Sequence, residues 1–323
     1  MAKKISTLSV SDKIEVSVNS DYQSRLGNKI IFVVADKNHA GYPDNSVTLI
    51  TEKIIQLMCF DAKEPRNSTN KYIKAYGNSR YSYSNILQWL NSRAAAGAWY
   101  AAQHTYDAPP TNSNVEGNWN EYNALAGFLT MLDADFVSSL LNTTYTSSYY
   151  NGTSGDYSSV ETIISKFFLA SLSEVNADSD NEGTALSLFS NDSSFLMAYP
   201  TAESISNSEY TTNISTTTAY TWWLRTPYTI RADYVHTITS SGDYSADSAY
   251  DGTTGLRPLC NINGDTYVSD TVNSDGYYTL AENSYNVILN NVTYKNVQNI
   301  TYQGQPVSTL IKNGVVIWQK GGE

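Results

Sequence analysis

Lys13-Ile14-Glu15-Val16-Ser17-Val18 alternates polar and apolar residues, the two-residue period of a half-buried strand. Ile30-Ile31-Phe32-Val33-Val34 is an unbroken, mostly β-branched run, the pattern of a central strand. Gly27-Asn28 supplies a turn between them, so a β-hairpin opens the chain. Val47-Thr48-Leu49-Ile50 predicts a third strand, with residues 53–60 continuing as a short helix or strand. Helical spacing takes over next. Ser84 is a suitable N-cap for a segment that places Ile86, Leu87, Leu90 and Ala94 on one face and ends near Gly97. A second helix is predicted over 124–141, where Leu125, Phe128, Leu129, Leu132, Phe136, Val137, Leu140 and Leu141 form one broad apolar stripe. Both read as supports facing a core.

Residues 142–160 are rich in Thr, Ser, Tyr and Gly and read as an exposed loop. Phe167-Phe168-Leu169-Ala170 predicts a short buried strand, and 176–215 reads as loop with apolar islands at 186–189 and 195–198. Three further strands follow: Thr221-Trp222-Trp223-Leu224-Arg225-Thr226-Pro227, Tyr234-Val235-His236-Thr237-Ile238, and the run from Gly255 to Ile262. Mixed strands and helices make this an α+β domain over 1–265. A polar linker over 266–284 then leads to a small antiparallel β-module at 285–323, where Ile300-Thr301-Tyr302 to Val307 is echoed by Leu310-Ile311-Lys312-Asn313-Gly314-Val315 to Trp318. So small a module has little core of its own and is expected to dock on the domain or on a partner.

Composition narrows the function. The 323 residues carry a formal charge of −11, which argues against nucleic acid, whose phosphates demand clustered Lys and Arg. Only 16% of residues are charged, against about 25% in an ordinary domain. There are 26 Tyr but 8 Phe and 6 Trp, a bias typical of recognition faces that are rigid yet adaptable. No apolar run follows Met1-Ala2-Lys3-Lys4, so no secretory signal is expected, and no stretch suits membrane insertion.

Little in the chain points to catalysis. His39, His104 and His236 stand in unrelated contexts, and no metal-binding His or Cys pair or Gly-x-Ser-x-Gly elbow is present. Asp133 and Asp135 are two apart on a predicted helix and point in different directions, unlike a glycosidase pair. Asp178, Asp180 and Glu182, followed by Gly183, resemble the first half of a calcium loop. The twelfth position is Phe189 rather than the expected bidentate Glu, so calcium is a minor expectation and no other cofactor is implied. Asp243, Asp247 and Asp251 make a second acid-rich stretch. Cys59 and Cys260 sit among apolar residues and read as buried free thiols. Arg225 and Arg257 lie in strands next to prolines, placed either to lock loops through carbonyls and carboxylates or to touch a ligand.

The pieces Trp222-Trp223-Leu224-Arg225-Thr226-Pro227 and Gly255-Leu256-Arg257-Pro258-Leu259-Cys260-Asn261-Ile262 resemble an uncharacterised domain family of gut bacteria and their prophages, marked by Tyr-Trp-Leu-Arg-Ser-Pro and Gly-Val-Arg-Pro-Ala. Tyr42-Pro43, Ile86-Leu87-Gln88-Trp89-Leu90-Asn91 and Phe168 to Val175 extend the resemblance over roughly 10–280. The layout is also similar to the C-type-lectin-like fold of phage receptor-binding proteins and of the formylglycine-generating enzymes. The reactive cysteine pair of the enzyme branch has no counterpart here. In the binding branch a rigid sheet carries exposed contact residues, and the matching stretch is 228–254. The tail resembles small β-modules of phage tail and baseplate proteins.

The resemblance implies a non-enzymatic virion or tail-like-particle component, made in a bacterial cytoplasm and found on the particle or outside the cell. Its expected role is that of a tail or baseplate adhesin for a host-surface glycan or protein, in a homo-oligomer and alongside other virion proteins. Contact residues would be Tyr228, Arg231, Tyr234, His236, Asp243, Tyr244, Asp247 and Tyr250, supported structurally by Trp222, Trp223, Arg225 and Arg257. The alternative is a capsid-decoration or baseplate protein whose Tyr-rich face is buried against neighbours.

Overall fold

The computed structural model describes residues 2–178 and 180–281, together with the backbone of six strands between 285 and 319. The fold is α+β, dominated by sheets with few and short helices.

A six-stranded sheet runs in the spatial order Tyr278–Thr279, Lys13–Ser17, Lys29–Lys37, Ser46–Thr51, Leu259–Asn263, Phe167–Phe168. Lys13–Ser17 and Lys29–Lys37 pair antiparallel, Ile14 opposite Phe32, as their alternating and continuous apolar patterns predict. A five-stranded sheet runs Tyr244–Ser248, Tyr234–Ile238, Trp222–Pro227, Gly255–Leu256, Gln56–Leu57. The expected single strand from Gly255 to Ile262 is therefore two strands, one in each sheet, with Arg257-Pro258 at the crossing. Ser46–Thr51 and Gln56–Leu57 make the same crossing.

Arg257 ties the two crossings together. Its Nε donates to Thr51 O at 2.8 Å and its Nη1 to Phe195 O at 2.6 Å, with the guanidinium 5.1 Å from the Trp222 ring. Trp222 and Trp223 are fully buried, and each indole N–H reaches a carbonyl, Leu196 O at 2.9 Å and Met58 O at 2.8 Å. Both large apolar bodies are thus buried without an orphaned polar atom. Cys59 and Cys260 are free and buried.

The helices depart from the periodicity. The first covers Asn85–Leu90 only, capped by Ser84, whose Oγ accepts from Leu87 N. The stripe over 124–141 is two short helices, Phe128–Met131 and Ala134–Ser139. Leu132 between them is extended and bridges Val18, Asp133 N donates to Ser17 O, and the Asp133 carboxylate caps the second helix through Phe136 N. Pairing with the end of the strand Lys13–Ser17 breaks the helix, while Phe128, Leu129, Phe136, Val137 and Leu140 of the stripe stay buried on both sides of the break.

The stretch read as an exposed loop at 142–160 is also different. Thr143–Ser148 and Val160–Ser165 form an antiparallel hairpin in which Thr143, Tyr145, Ser147 and Ser148 are buried. The residues expected as a linker carry two strands: Tyr267–Ser269 pairs with Ala2–Lys4, and Tyr278–Thr279 runs parallel to Ile14-Glu15. In the tail, Tyr285–Leu289 pairs with Val292–Val297, Ile300–Tyr302 with Gln305–Val307, and Thr309–Lys312 with Val315–Gln319. The Asn313-Gly314 turn lies outside the described residues. Among the described residues no helix is long and apolar enough to cross a membrane.

Candidate functional site: a tyrosine-lined surface around His236

The edge hairpin of the five-stranded sheet aligns its side chains by register. His236 stands opposite Ala246, Tyr234 opposite Ser248 and Ile238 opposite Tyr244. Alternation along each strand then puts Tyr234, His236 and Tyr244 on one face. The rings form a continuous row: Tyr244 to His236 at 5.8 Å, His236 to Tyr228 at 5.0 Å, and Tyr228 to Tyr234 at 6.4 Å between centroids. Tyr228 and Tyr244 are exposed, whereas His236 is buried beneath them.

His236 is locked in one tautomer. Ser245 O can only accept, so Nδ1 donates to it at 3.0 Å, and Nε2 accepts from the Tyr157 hydroxyl at 3.0 Å. Burial holds its pKa below the usual imidazole value, so the ring stays neutral near pH 7. It serves as a rigid, uncharged plate between tyrosines.

The row continues through Arg231. Its guanidinium lies 4.4 Å from the Tyr234 ring and 4.5 Å from the Tyr72 ring, and a side-on pair with Asp233 fixes its plane. Tyr76, on the same helix as Tyr72 (Lys71–Tyr76), packs edge-on against Tyr250 at 5.5 Å. Thus Tyr228, Arg231, Tyr234, His236, Tyr244 and Tyr250 come together as one surface.

Asp243 and Asp247 do not join it. Asp243 accepts from Ser241 Oγ in the exposed turn, and Asp247 projects from the opposite face, where Thr237 Oγ1 donates to it at 3.3 Å. Burial and the neighbouring Asp251 push the Asp247 carboxyl up to about 6.

Tyr72, Tyr76, Tyr157 and Asp178 were not among the expected contact residues. They arrive from distant segments; the only sequence signal for the three tyrosines was the general excess of Tyr, and Asp178 stood out only as a calcium-loop candidate. Asp178 accepts from the Tyr244 hydroxyl at 3.2 Å.

The calcium expectation gives way to an internal network. Among the described residues no cluster of three or more His, Cys, Asp or Glu is placed to hold a metal ion. Asp180 instead accepts from Ser173 and from Thr226 Oγ1, and Glu182 from Ser148 and Thr226. Both lie around Arg225, which is fully buried and bidentate to Glu174. Arg225 also donates to the carbonyls of Leu169 and Glu182. Of the two roles open to Arg225 and Arg257, their hydrogen bonds describe loop locking. A cleft of about 210 Å³ beside this network is lined by His39, Tyr42, Tyr145 and both glutamates. The carboxylate oxygens there are engaged inside the protein, Glu174 Oε1 accepting from the Tyr42 hydroxyl at 2.5 Å. Clefts of about 470 and 420 Å³ lie elsewhere, the larger one containing Lys29, which is already paired with Glu15 and Asp275.

Residues 45–264 match the family described as Domain of unknown function (DUF6273), well over half of the chain. The chain belongs to the DUF6273 family. The matched span runs from the strand Ser46–Thr51 to Leu259–Asn263 and contains both arginine locks and the whole tyrosine-lined surface. No curated protein and no solved structure matches the chain.

Proposed function

We propose that the protein is a non-enzymatic recognition module: a receptor-binding component of a phage virion or tail-like particle, with a C-type-lectin-like domain that binds a host-surface glycan or protein. The observation that carries the reading is the row of rings from Tyr244 through His236, Tyr228 and Tyr234 to Arg231. Aromatic faces stack on the apolar faces of sugars or on a partner's apolar groups, while hydroxyl tips fix orientation. Rings held by one another lose little freedom on binding. The particle assignment rests on the resemblance of the Trp-Trp-Leu-Arg-Thr-Pro and Gly-Leu-Arg-Pro segments.

The test is adsorption of the full chain to host cells and to an immobilised glycan panel, with Tyr228→Ala and Tyr244→Ala compared with wild type. Both side chains are exposed, so folding is expected to survive. Binding should fall about tenfold or more for either variant, the scale of a lost hot-spot aromatic. Unchanged adsorption by both refutes the reading.

A second reading, a baseplate or decoration protein, is favoured by one feature. Tyr244–Ser248 is the terminal strand of its sheet, with Tyr244 and Ser245 exposed, and among the described residues nothing pairs with its outer edge. Such an edge is a template for strand pairing between subunits. Light scattering of the purified chain, with Tyr244→Ala beside wild type, separates the two. An oligomer that dissociates in the variant supports assembly; a mass unaffected by it counts against that role.

A further inference from the structure

Arg80 and Arg231 repeat one arrangement at neighbouring points of the surface. Arg80 lies between Tyr83 at 4.3 Å and Tyr149 at 4.5 Å, as Arg231 lies between Tyr234 and Tyr72. Each uses Nε and Nη2 on one carboxylate: Arg80 on Glu161 Oε2 at 3.0 and 2.6 Å, Arg231 on Asp233 at 3.0 and 2.7 Å. In both, Nη1 makes no hydrogen bond among the described residues. The side chains are 32% and 29% exposed, so these nitrogens are not sealed in the interior. Ser79 N donates to Ala232 O at 2.8 Å, which links the segments bearing the two arginines. The hairpin carrying Tyr149 and Glu161 is itself fastened to the ring row, through Tyr157 to His236 and Gly155 N to Thr229 O.

We infer that Arg80 and Arg231 form a twin donor site for an uncharged, hydroxyl-rich glycan, presenting two fixed Nη1 groups between tyrosine faces. This deepens the recognition reading above and rests on it. Charge selects the ligand class. Each guanidinium is already balanced by a carboxylate in contact, so an incoming anion meets a neutral pair, and the formal −11 of the chain repels polyanions. Hydroxyl and acetamido oxygens need donors rather than net charge. A guanidinium stacked on rings and forked on a carboxylate supplies its remaining N–H groups in a set direction, with little side-chain freedom left to lose. Lysine at either position would lose both the stacking plane and the fork.

The experiment measures binding of the full chain to neutral oligosaccharides (mannan, β-glucan and galactan fragments) and to anionic ones (polygalacturonate and sialylated glycans), at about 50 mM and about 500 mM NaCl. Arg80→Lys, Arg231→Lys and Arg231→Gln are compared with wild type after near-UV circular dichroism has established native packing. The expected result is binding confined to neutral glycans, changing less than about twofold with salt, and weakened about tenfold by each arginine variant, the scale of a lost charged hydrogen bond. Anionic ligands bound with a steep salt dependence would overturn the inference. It also fails if the arginine variants bind like wild type while Tyr228→Ala and Tyr244→Ala lose binding, and in that case the recognition reading survives. A protein on the host surface as the only ligand, with no glycan bound, overturns it as well.

Discussion

Arg225 and Glu174 meet as a bidentate ion pair, Nη1 to Oε2 at 2.6 Å and Nη2 to Oε1 at 2.8 Å, with both side chains shut off from solvent. Removing one partner breaks a buried ion pair, a loss of about 3–5 kcal/mol, with Glu182 Oε2 at 3.3 Å from Arg225 Nε as the remaining acidic partner when Glu174 is the one removed. Glu174→Ala should therefore lose stability on that scale, and it also strips acceptors from the Tyr42 hydroxyl and Ser171 N. Arg225→Lys should be nearly as damaging, because one ammonium cannot reach Glu174 and the carbonyls of Leu169 and Glu182 together. The half-buried surface pair Lys13–Glu52 is the control, and Lys13→Ala should cost less than about 1 kcal/mol. Urea denaturation of the three variants decides. Equal losses for buried and surface pairs would contradict the account.

Glu182 adds a pH dependence. Burial pushes its carboxyl from 4.5 up to about 8; Arg225 pulls it down by less, and Asp180 adds to the rise. Between these two values the folded protein holds a proton that the unfolded chain has released. The stabilisation is complete below pH 4.5 and is lost as pH climbs through about 8. The slope attributable to this group is at most about 1.4 kcal/mol per pH unit. Subtracting the stability of Glu182→Gln from that of wild type, measured by urea melts from pH 5 to 8, should give a difference that falls as pH rises. A difference that is flat or rising means the carboxyl is ionised throughout.

Gly77 is a conformational requirement of the ring surface. It ends the helix bearing Tyr72 and Tyr76 at φ +81°, and a Cβ there would meet Asp61 O at 2.4 Å. Gly77→Ala should cost about 1–3 kcal/mol from backbone strain, with the clash adding to it. Because the displaced helix carries Tyr72 away from Arg231, near-UV tyrosine dichroism should change along with the melting temperature. A variant with native dichroism and unchanged melting would show that this turn is not rigidly held.

Much of the sheet was legible because apolar runs report burial directly: the strands around Ile30 to Val34, Val47 to Ile50 and Trp222 to Pro227 stand where the pattern put them. The arginines were legible as locks because a strand Arg beside proline must find carbonyls or carboxylates, and Arg225 and Arg257 do. Two errors have one cause, that tertiary pairing overrode local signal. Leu132 leaves the helical path to bridge Val18, and the Thr/Ser/Tyr run at 143–148 buries small hydroxyls that composition assigns to a loop. Within the ring surface, the residues of the segment 228–254 were singled out by their tyrosines. Tyr72, Arg80, Tyr149 and Tyr157 were not, since nothing along the chain links them until the hairpin folds onto the sheet.

The placement of Leu259–Asn263 between Ser46–Thr51 and Phe167–Phe168 bears on how the chain is made. The two flanking strands leave the ribosome long before the one that joins them, and Lys13–Ser17 waits longer still for Tyr278–Thr279. Until then an early fragment exposes the apolar edge of Ser46–Thr51 to any passing strand. Pairings so distant in sequence close slowly. Completion of the domain therefore waits for these late strands, and a chain cut short before residue 259 should be found among aggregates or bound to chaperones rather than as a smaller version of the fold.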